Sequence, residues 1–166
     1  MTPFFMKVWI MKKIFSALAV PAFVFLSLFA SCSGGAGLST YKFDFPVIDI
    51  SDADADVSSV KTESRRLPSE PVQGKVKLYV EELLLGPESE RLQPLFSLDS
   101  SIDFCFVRNE SGKDVLYLGL SESSVYNLPP NADIQNRIAI LRENIRKNFK
   151  NIEKIVLFIG DNFVNE

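Results

Sequence analysis

Between Ile14 and Ala30 the chain runs for 17 residues without an ionised side chain, directly after Lys12 and Lys13. A short basic stretch followed by an apolar run is the layout of a secretory signal. The run falls short of the roughly 20 residues that a helix needs to span hydrocarbon, and Pro21 interrupts it. An uncleaved anchor helix is the alternative, and both readings place the remaining chain outside the cytoplasm. Met11, immediately before Lys12, is a second candidate start, which would make the preceding residues dispensable. The residues beyond the apolar run suffice for one globular domain. All 21 acidic residues lie there, with all of the 18 basic ones except Lys7, Lys12 and Lys13, so this body is net acidic. Such a body has no general attraction for phosphate backbones, and no nucleic-acid partner is expected. The chain has no histidine. That excludes Ser-His-Asp and Cys-His catalysis and removes the commonest metal ligand.

The run ends in Leu28-Phe29-Ala30-Ser31-Cys32, which resembles a relaxed bacterial lipobox: small residues before the cleaved bond, then a cysteine that receives diacylglycerol. The resemblance implies cleavage after residue 31 and lipidation of Cys32, with the membrane as an anchor. Acyl chains contribute about 0.8 kcal/mol per buried CH2, enough when several are attached to hold a protein on a bilayer. Residues 32–40 are small and flexible, as a tether would be, and a single domain is expected over 41–166. Cys105 then has no intrachain disulfide partner and reads as a small buried hydrophobe.

Periodicity gives the order of elements. Tyr41 to Val47 alternates apolar and polar residues as a strand does, and Val57 to Leu67 forms a looser second strand stopped by Pro68. From Pro71, the residues Val72, Val76, Tyr79 and Leu83 make a helical stripe closed by Gly86-Pro87. Ile102–Val107 and Val115–Leu120 read as an antiparallel pair joined around Asn109-Glu110-Ser111-Gly112. Asn131 is positioned as the N-cap of a second helix with Asp133 in its first turn and Ile134, Ile138, Leu141, Ile145 and Phe149 on one stripe. Ile155–Ile159 is an uninterrupted apolar run, expected to be a strand buried on both faces. The expected class is α+β, ordered β-β-α-β-β-α-β, with a mixed or antiparallel sheet packed against two helices.

These residues resemble the GerMN domain, the sporulation and spore germination domain. Glu82-Leu83-Leu84-Leu85-Gly86-Pro87 is similar to the Leu-Leu-x-Gly-Pro ending of that family's first helix. Arg66-Leu67-Pro68 resembles its arginine-bearing second strand, Val115 to Ser121 its strand ending in serine, and Asn148 to Gly160 its closing helix-turn-strand. The family's Pro-x-Gly-Thr turn before the third strand is replaced by Phe96-Ser97-Leu98-Asp99-Ser100. The resemblance implies an extracytoplasmic, commonly lipid-anchored, non-catalytic domain for binding or assembly, without implying a spore protein.

Other constellations are weaker. Asp52, Asp54 and Asp56, with Glu63 at the twelfth position, match the ligand spacing of a calcium loop, but Val57 occupies the place of its turn-forming glycine. A solvated acidic loop is the expected role. Ser58-x-x-Lys61 lacks the companion motifs of penicillin-interacting enzymes, and Glu81 and Glu82 point about 100° apart on a helix. No metal, cofactor or enzymatic reaction is expected. Leu92, Leu95, Phe96 and Leu98 form an apolar loop, and Arg137, Arg142, Arg146, Lys147 and Lys150 give the second helix a basic side. Of these, Leu92, Leu95, Phe96, Arg142 and Arg146 are the candidate contacts for another envelope protein. The alternative function is a receptor for a small extracytoplasmic ligand such as a peptidoglycan fragment, which would need a pocket.

Overall fold

A computed structural model of the chain describes residues 37–47, 59–128 and 132–164. The signal segment, Cys32, the acidic residues Asp52, Asp54 and Asp56, and Asn131 lie outside the described residues. The fold is α+β, with strands β1 (Leu38–Pro46), β2 (Val60–Pro68), β3 (Ile102–Glu110), β4 (Lys113–Leu120), β5 (Ile152–Ile159) and β6 (Asn162–Val164). Helix α1 spans Lys75–Leu84 and helix α2 spans Ile134–Asn148. There are two sheets where one was expected: β1 and β2 pair antiparallel, and a mixed sheet runs β3-β4-β5-β6 with β4 and β5 parallel.

Several boundaries shift for physical reasons. Strand β1 already pairs at Leu38, opposite Pro68, so residues 38–40 belong to the domain and not to a tether. Helix α1 starts after Gly74, whose φ of 87° breaks the helix that Pro71 was expected to open, and Val72 is left fully exposed. Its far end is as expected: Gly86 adopts φ 85° and its N–H donates to Leu83 O. Asp133 is the N-cap of α2, its carboxylate accepting from the Gln135 N–H. The β3–β4 hairpin turns on Ser111 and Gly112, both at positive φ as a two-residue turn of this hand requires. Strand β5 is covered on one face only: Ile155, Leu157 and Ile159 are buried while Val156 and Phe158 are half-buried. A three-residue strand, β6, follows it antiparallel and was not anticipated.

The core lies between the helices and one face of the mixed sheet. Leu116, Leu118, Leu120 and Leu157 supply the sheet side, and Phe43, Phe45, Tyr79, Leu83, Leu141 and Ile145 the other elements, all essentially inaccessible. Strand β1 pairs with β2 along one edge, and side chains of α2 serve its other edge. Asn144 accepts from the Asp44 N–H at 2.7 Å and donates to Asp44 O at 2.9 Å. One turn on, Asn148 accepts from the Lys42 N–H at 3.0 Å and donates to Lys42 O at 2.7 Å. Two amides at i and i+4 thus present the donor and acceptor pair that a neighbouring strand would offer at alternate residues. The Tyr79 hydroxyl sits 2.8 Å from Lys42 O and 3.0 Å from Asn144 Oδ1, tying α1 into the same knot. Lys147 Nζ holds the Asp44 carboxylate at 2.8 Å.

Arg65 fastens β2 to the end of α1. Its guanidinium lies 4.9 Å from the Phe43 ring centre and donates to Glu82 O at 3.0 Å and Gly86 O at 2.6 Å. Glu82 O is one of the last carbonyls of the helix, which have no partner within it, and Gly86 O belongs to the turn that follows. Glu63 completes the clamp, accepting from Arg65 at 3.1 Å, from the Glu88 N–H at 3.1 Å and from the Ser89 N–H at 3.0 Å. Arg65, not the exposed Arg66, is therefore the structural arginine of β2.

Burial pushes the Glu63 carboxyl up, but the Glu88 N–H, Arg65 and the Ser89 N–H outweigh it and hold it below its ordinary value of 4.5. Its contribution to stability is therefore fully present above that value and is lost as pH falls through the lower folded value. Thermal melts at pH 7, 5 and 3 should show Glu63→Gln less stable than the parent at pH 7, with the difference closing at pH 3. Equal acid sensitivity in the two proteins would remove Glu63 from that role.

Candidate functional site

The mixed sheet uses its two faces differently. In β4 Leu116, Leu118 and Leu120 turn into the core, while Val115, Tyr117 and Gly119 alternate with them on the outer face. Register carries that outer face across the sheet. Phe106 pairs with Tyr117, which pairs with Val156. Phe104 pairs with Gly119, Gly119 with Phe158, and Phe158 with Phe163. Directly paired residues point the same way, so these make two adjoining rows across the strands.

The rings touch along and between the rows. Phe106 stacks on Tyr117 with centroids 5.2 Å apart, Phe104 lies 6.0 Å from Phe106 and 5.7 Å from Phe158, and Phe158 lies 5.5 Å from Phe163. Phe104, Phe106 and Phe163 remain 37%, 50% and 54% exposed. Isolated exposed apolar residues are ordinary, but a contiguous aromatic band marks a contact surface. Gly119 makes room for it, since a methyl group there would fall inside the Phe104 ring. Gly119→Ala should therefore swing Phe104 out of the row while leaving the leucine face in place. The expected result is a changed near-ultraviolet aromatic signal with a folded far-ultraviolet spectrum. An unaltered aromatic signal would mean that the ring is not held as described.

Charge brackets the band. Arg108 and Lys154 both pair with Val115 at one end, where Arg108 lies 3.9 Å from the Glu110 carboxylate and Lys154 has no ion pair among the described residues. At the other end of β4 and β5, Glu122 lies against Gly160 and Asp161 follows it, both exposed. The Tyr117 hydroxyl donates to Glu110 at 2.7 Å, and that bond to a carboxylate raises its pKa.

The residues anticipated as contacts are placed elsewhere. Leu92, Leu95 and Phe96 are buried, at 5%, 1% and 1% exposure, because Gln93 N–H bonds to Pro46 O and Leu92 bridges to Val47, drawing the loop onto the core. They close the core, and of that loop's apolar residues only Leu98 is exposed. The basic side of α2 is likewise taken apart. Arg137 is buried and donates to Pro94 O, Leu95 O and Gln93, Arg142 is buried and donates to Val164 O, and Lys147 holds Asp44. Arg146 stays at the surface. Glu63 is engaged by Arg65 and two backbone N–H groups, while Asp52, Asp54 and Asp56 lie outside the described residues. Among the described residues no group of acidic or cysteine side chains is placed to hold a metal. Burial raises the Cys105 thiol to about 11, which disfavours the reactive thiolate. A cleft of about 480 Å³ opens beside Phe96, Leu98 and Leu128, with Arg137 at its wall.

Sequence reasoning missed the aromatic face by treating the strands singly. The signal was present: Phe104 and Phe106 lie two apart in β3, and Tyr117 and Phe158 alternate with the aliphatic Leu116, Leu118, Leu120, Ile155, Leu157 and Ile159 that already fill the core side of β4 and β5.

No family model matches the chain, and no curated protein matches it. A solved structure of a Clostridium perfringens protein, named as a candidate lipoprotein, is similar with a TM-score of 0.43 at 16% identity, over 78% of this chain and 80% of that one. Among the described residues no helix is long and apolar enough to cross a membrane.

Proposed function

We propose that this protein is a lipid-anchored component of a bacterial cell envelope, tethered through Cys32 on the extracytoplasmic side. Its domain is a non-catalytic assembly module of the GerMN kind that docks another envelope component on the aromatic sheet face. The observation that carries the reading is the band of Phe104, Phe106, Tyr117, Phe158 and Phe163 on a sheet face that the helices leave open. Aromatic side chains give large contact area at low entropic cost, and they concentrate at the centres of protein interfaces. The membership rests on the ordered motifs and on an element order that follows the expected β-β-α-β-β-α-β series with β6 appended.

Two measurements test it. Cys32→Ser in the full-length protein should move it from the membrane fraction to the soluble fraction; membrane retention would remove the lipid anchor. A photo-reactive phenylalanine analogue at Phe106 or Phe163 should cross-link to an envelope protein in cells, with Gly119→Ala reducing the yield. Cross-links that arise only from distant positions such as Lys150 would remove the sheet face from the assembly role. The receptor alternative has the cleft beside Phe96 in its favour, although three of the donors of Arg137 are already engaged there by the 93–95 loop.

A further inference from the structure

Resting on that reading of the sheet face, we propose that the component it docks is a second copy of this chain, packed face to face about a two-fold axis that crosses the strands. The argument is charge complementarity around the band. One end of the face carries Arg108, Lys154 and Glu110, which keep a net positive charge, and the exposed Glu122 and Asp161 lie beyond the other end, with the two aromatic rows between. A two-fold axis lying in the interface and running between the rows reverses strand direction. It sets the Phe106–Tyr117 row of each copy on the Phe104–Phe158–Phe163 row of the other and brings each basic end over an acidic one. An axis along the strands would instead stack Arg108 and Lys154 on their own copies, and like charges in juxtaposition disfavour that arrangement. The contact is isologous, as closed two-fold dimers require, and it makes the mixed sheet the inner layer of a sandwich.

Size is compatible. Three strands about 4.8 Å apart with roughly eight residues of about 3.3 Å each, and the three-residue β6 beside them, give a face of roughly 430 Å². Two such faces bury on the order of 900 Å², the size of a weak, reversible contact. Confinement of both copies to one membrane would raise their effective concentration.

The test uses the full-length protein in cells with the photo-reactive analogue at Phe106. The expected adduct has twice the chain mass and contains only this chain. Lys154→Glu should lower its yield about five-fold and Glu122→Lys about as much, as loss of an interfacial ion pair does, and the two together should restore it to within about two-fold of the parent. Failure of the double exchange to restore the yield would overturn the paired arrangement. Adducts made solely with other proteins would overturn the second copy while leaving the assembly role of the face standing. Absence of any adduct from Phe106 and Phe163, with adducts from Lys150, would overturn both.

Discussion

Arg65→Ala should cost about 3–5 kcal/mol of folding stability, the range for breaking a buried charged network by removing one partner. The side chain serves three elements at once. It covers the Phe43 ring in β1, supplies donors to Glu82 O and Gly86 O where α1 ends, and neutralises Glu63, which itself caps the N–H groups of Glu88 and Ser89. Alanine would leave two carbonyls and a half-buried carboxylate without their partner and would open a gap beside the ring. Lysine should rescue little, because one ammonium cannot reproduce a planar fork that reaches two carbonyls and a carboxylate while lying on an aromatic ring. Urea denaturation of the parent, Arg65→Ala and Arg65→Lys would decide it. A loss below about 1 kcal/mol for alanine, on the scale of an exposed ion pair, would show the clamp to be surface decoration.

Asn144→Ala comes second in expected size, at about 2–4 kcal/mol. It would leave the Asp44 N–H, Asp44 O and the Tyr79 hydroxyl short of partners, and each buried group left unmatched costs about 1–3 kcal/mol, partly recovered where another partner is in reach. Asn148→Ala should cost less, since its bonds to Lys42 lie at an exposed position where water can replace the amide. Equal losses for the two variants would contradict an account based on burial. Hydrogen exchange gives an independent reading: the Asp44 amide should lose protection in Asn144→Ala, while amides of β4 and β5 keep theirs.

Legibility in the sequence follows the range of the interactions. Local signals could be read: Gly86-Pro87 ends α1, the stripe through Ile138, Leu141 and Ile145 marks α2, and the turn at Ser111-Gly112 sets a hairpin. What escaped depends on contacts between segments far apart in the chain. An apolar loop at Leu92 to Phe96 looks like a surface patch until Pro46 and Val47 are seen to hold it inside. Basic residues on one helix look like a charged face until Arg137, Arg142 and Lys147 are followed to a loop, a strand and a carboxylate. Asn144 and Asn148 carried no recognisable motif, because their meaning depends on the unpaired backbone of a strand about a hundred residues earlier. The aromatic band emerged only when strand register aligned residues from four separate segments.

The same asparagine pair bears on how the chain matures. Strand β1 is the first part of the domain to be synthesised and, for an exported chain, the first to arrive beyond the membrane. The amides that complete its second edge come 100 and 106 residues later. Until α2 has arrived, the Lys42 and Asp44 peptide groups face outward as an open template onto which another extended chain could add. The nascent domain therefore passes through an interval in which its first strand is adhesive on one side, and the arrival of α2 ends that interval. A chain truncated before Asn144 should remain in that sticky form and rely on holding chaperones, so the last fifth of the sequence acts as the lock for its beginning.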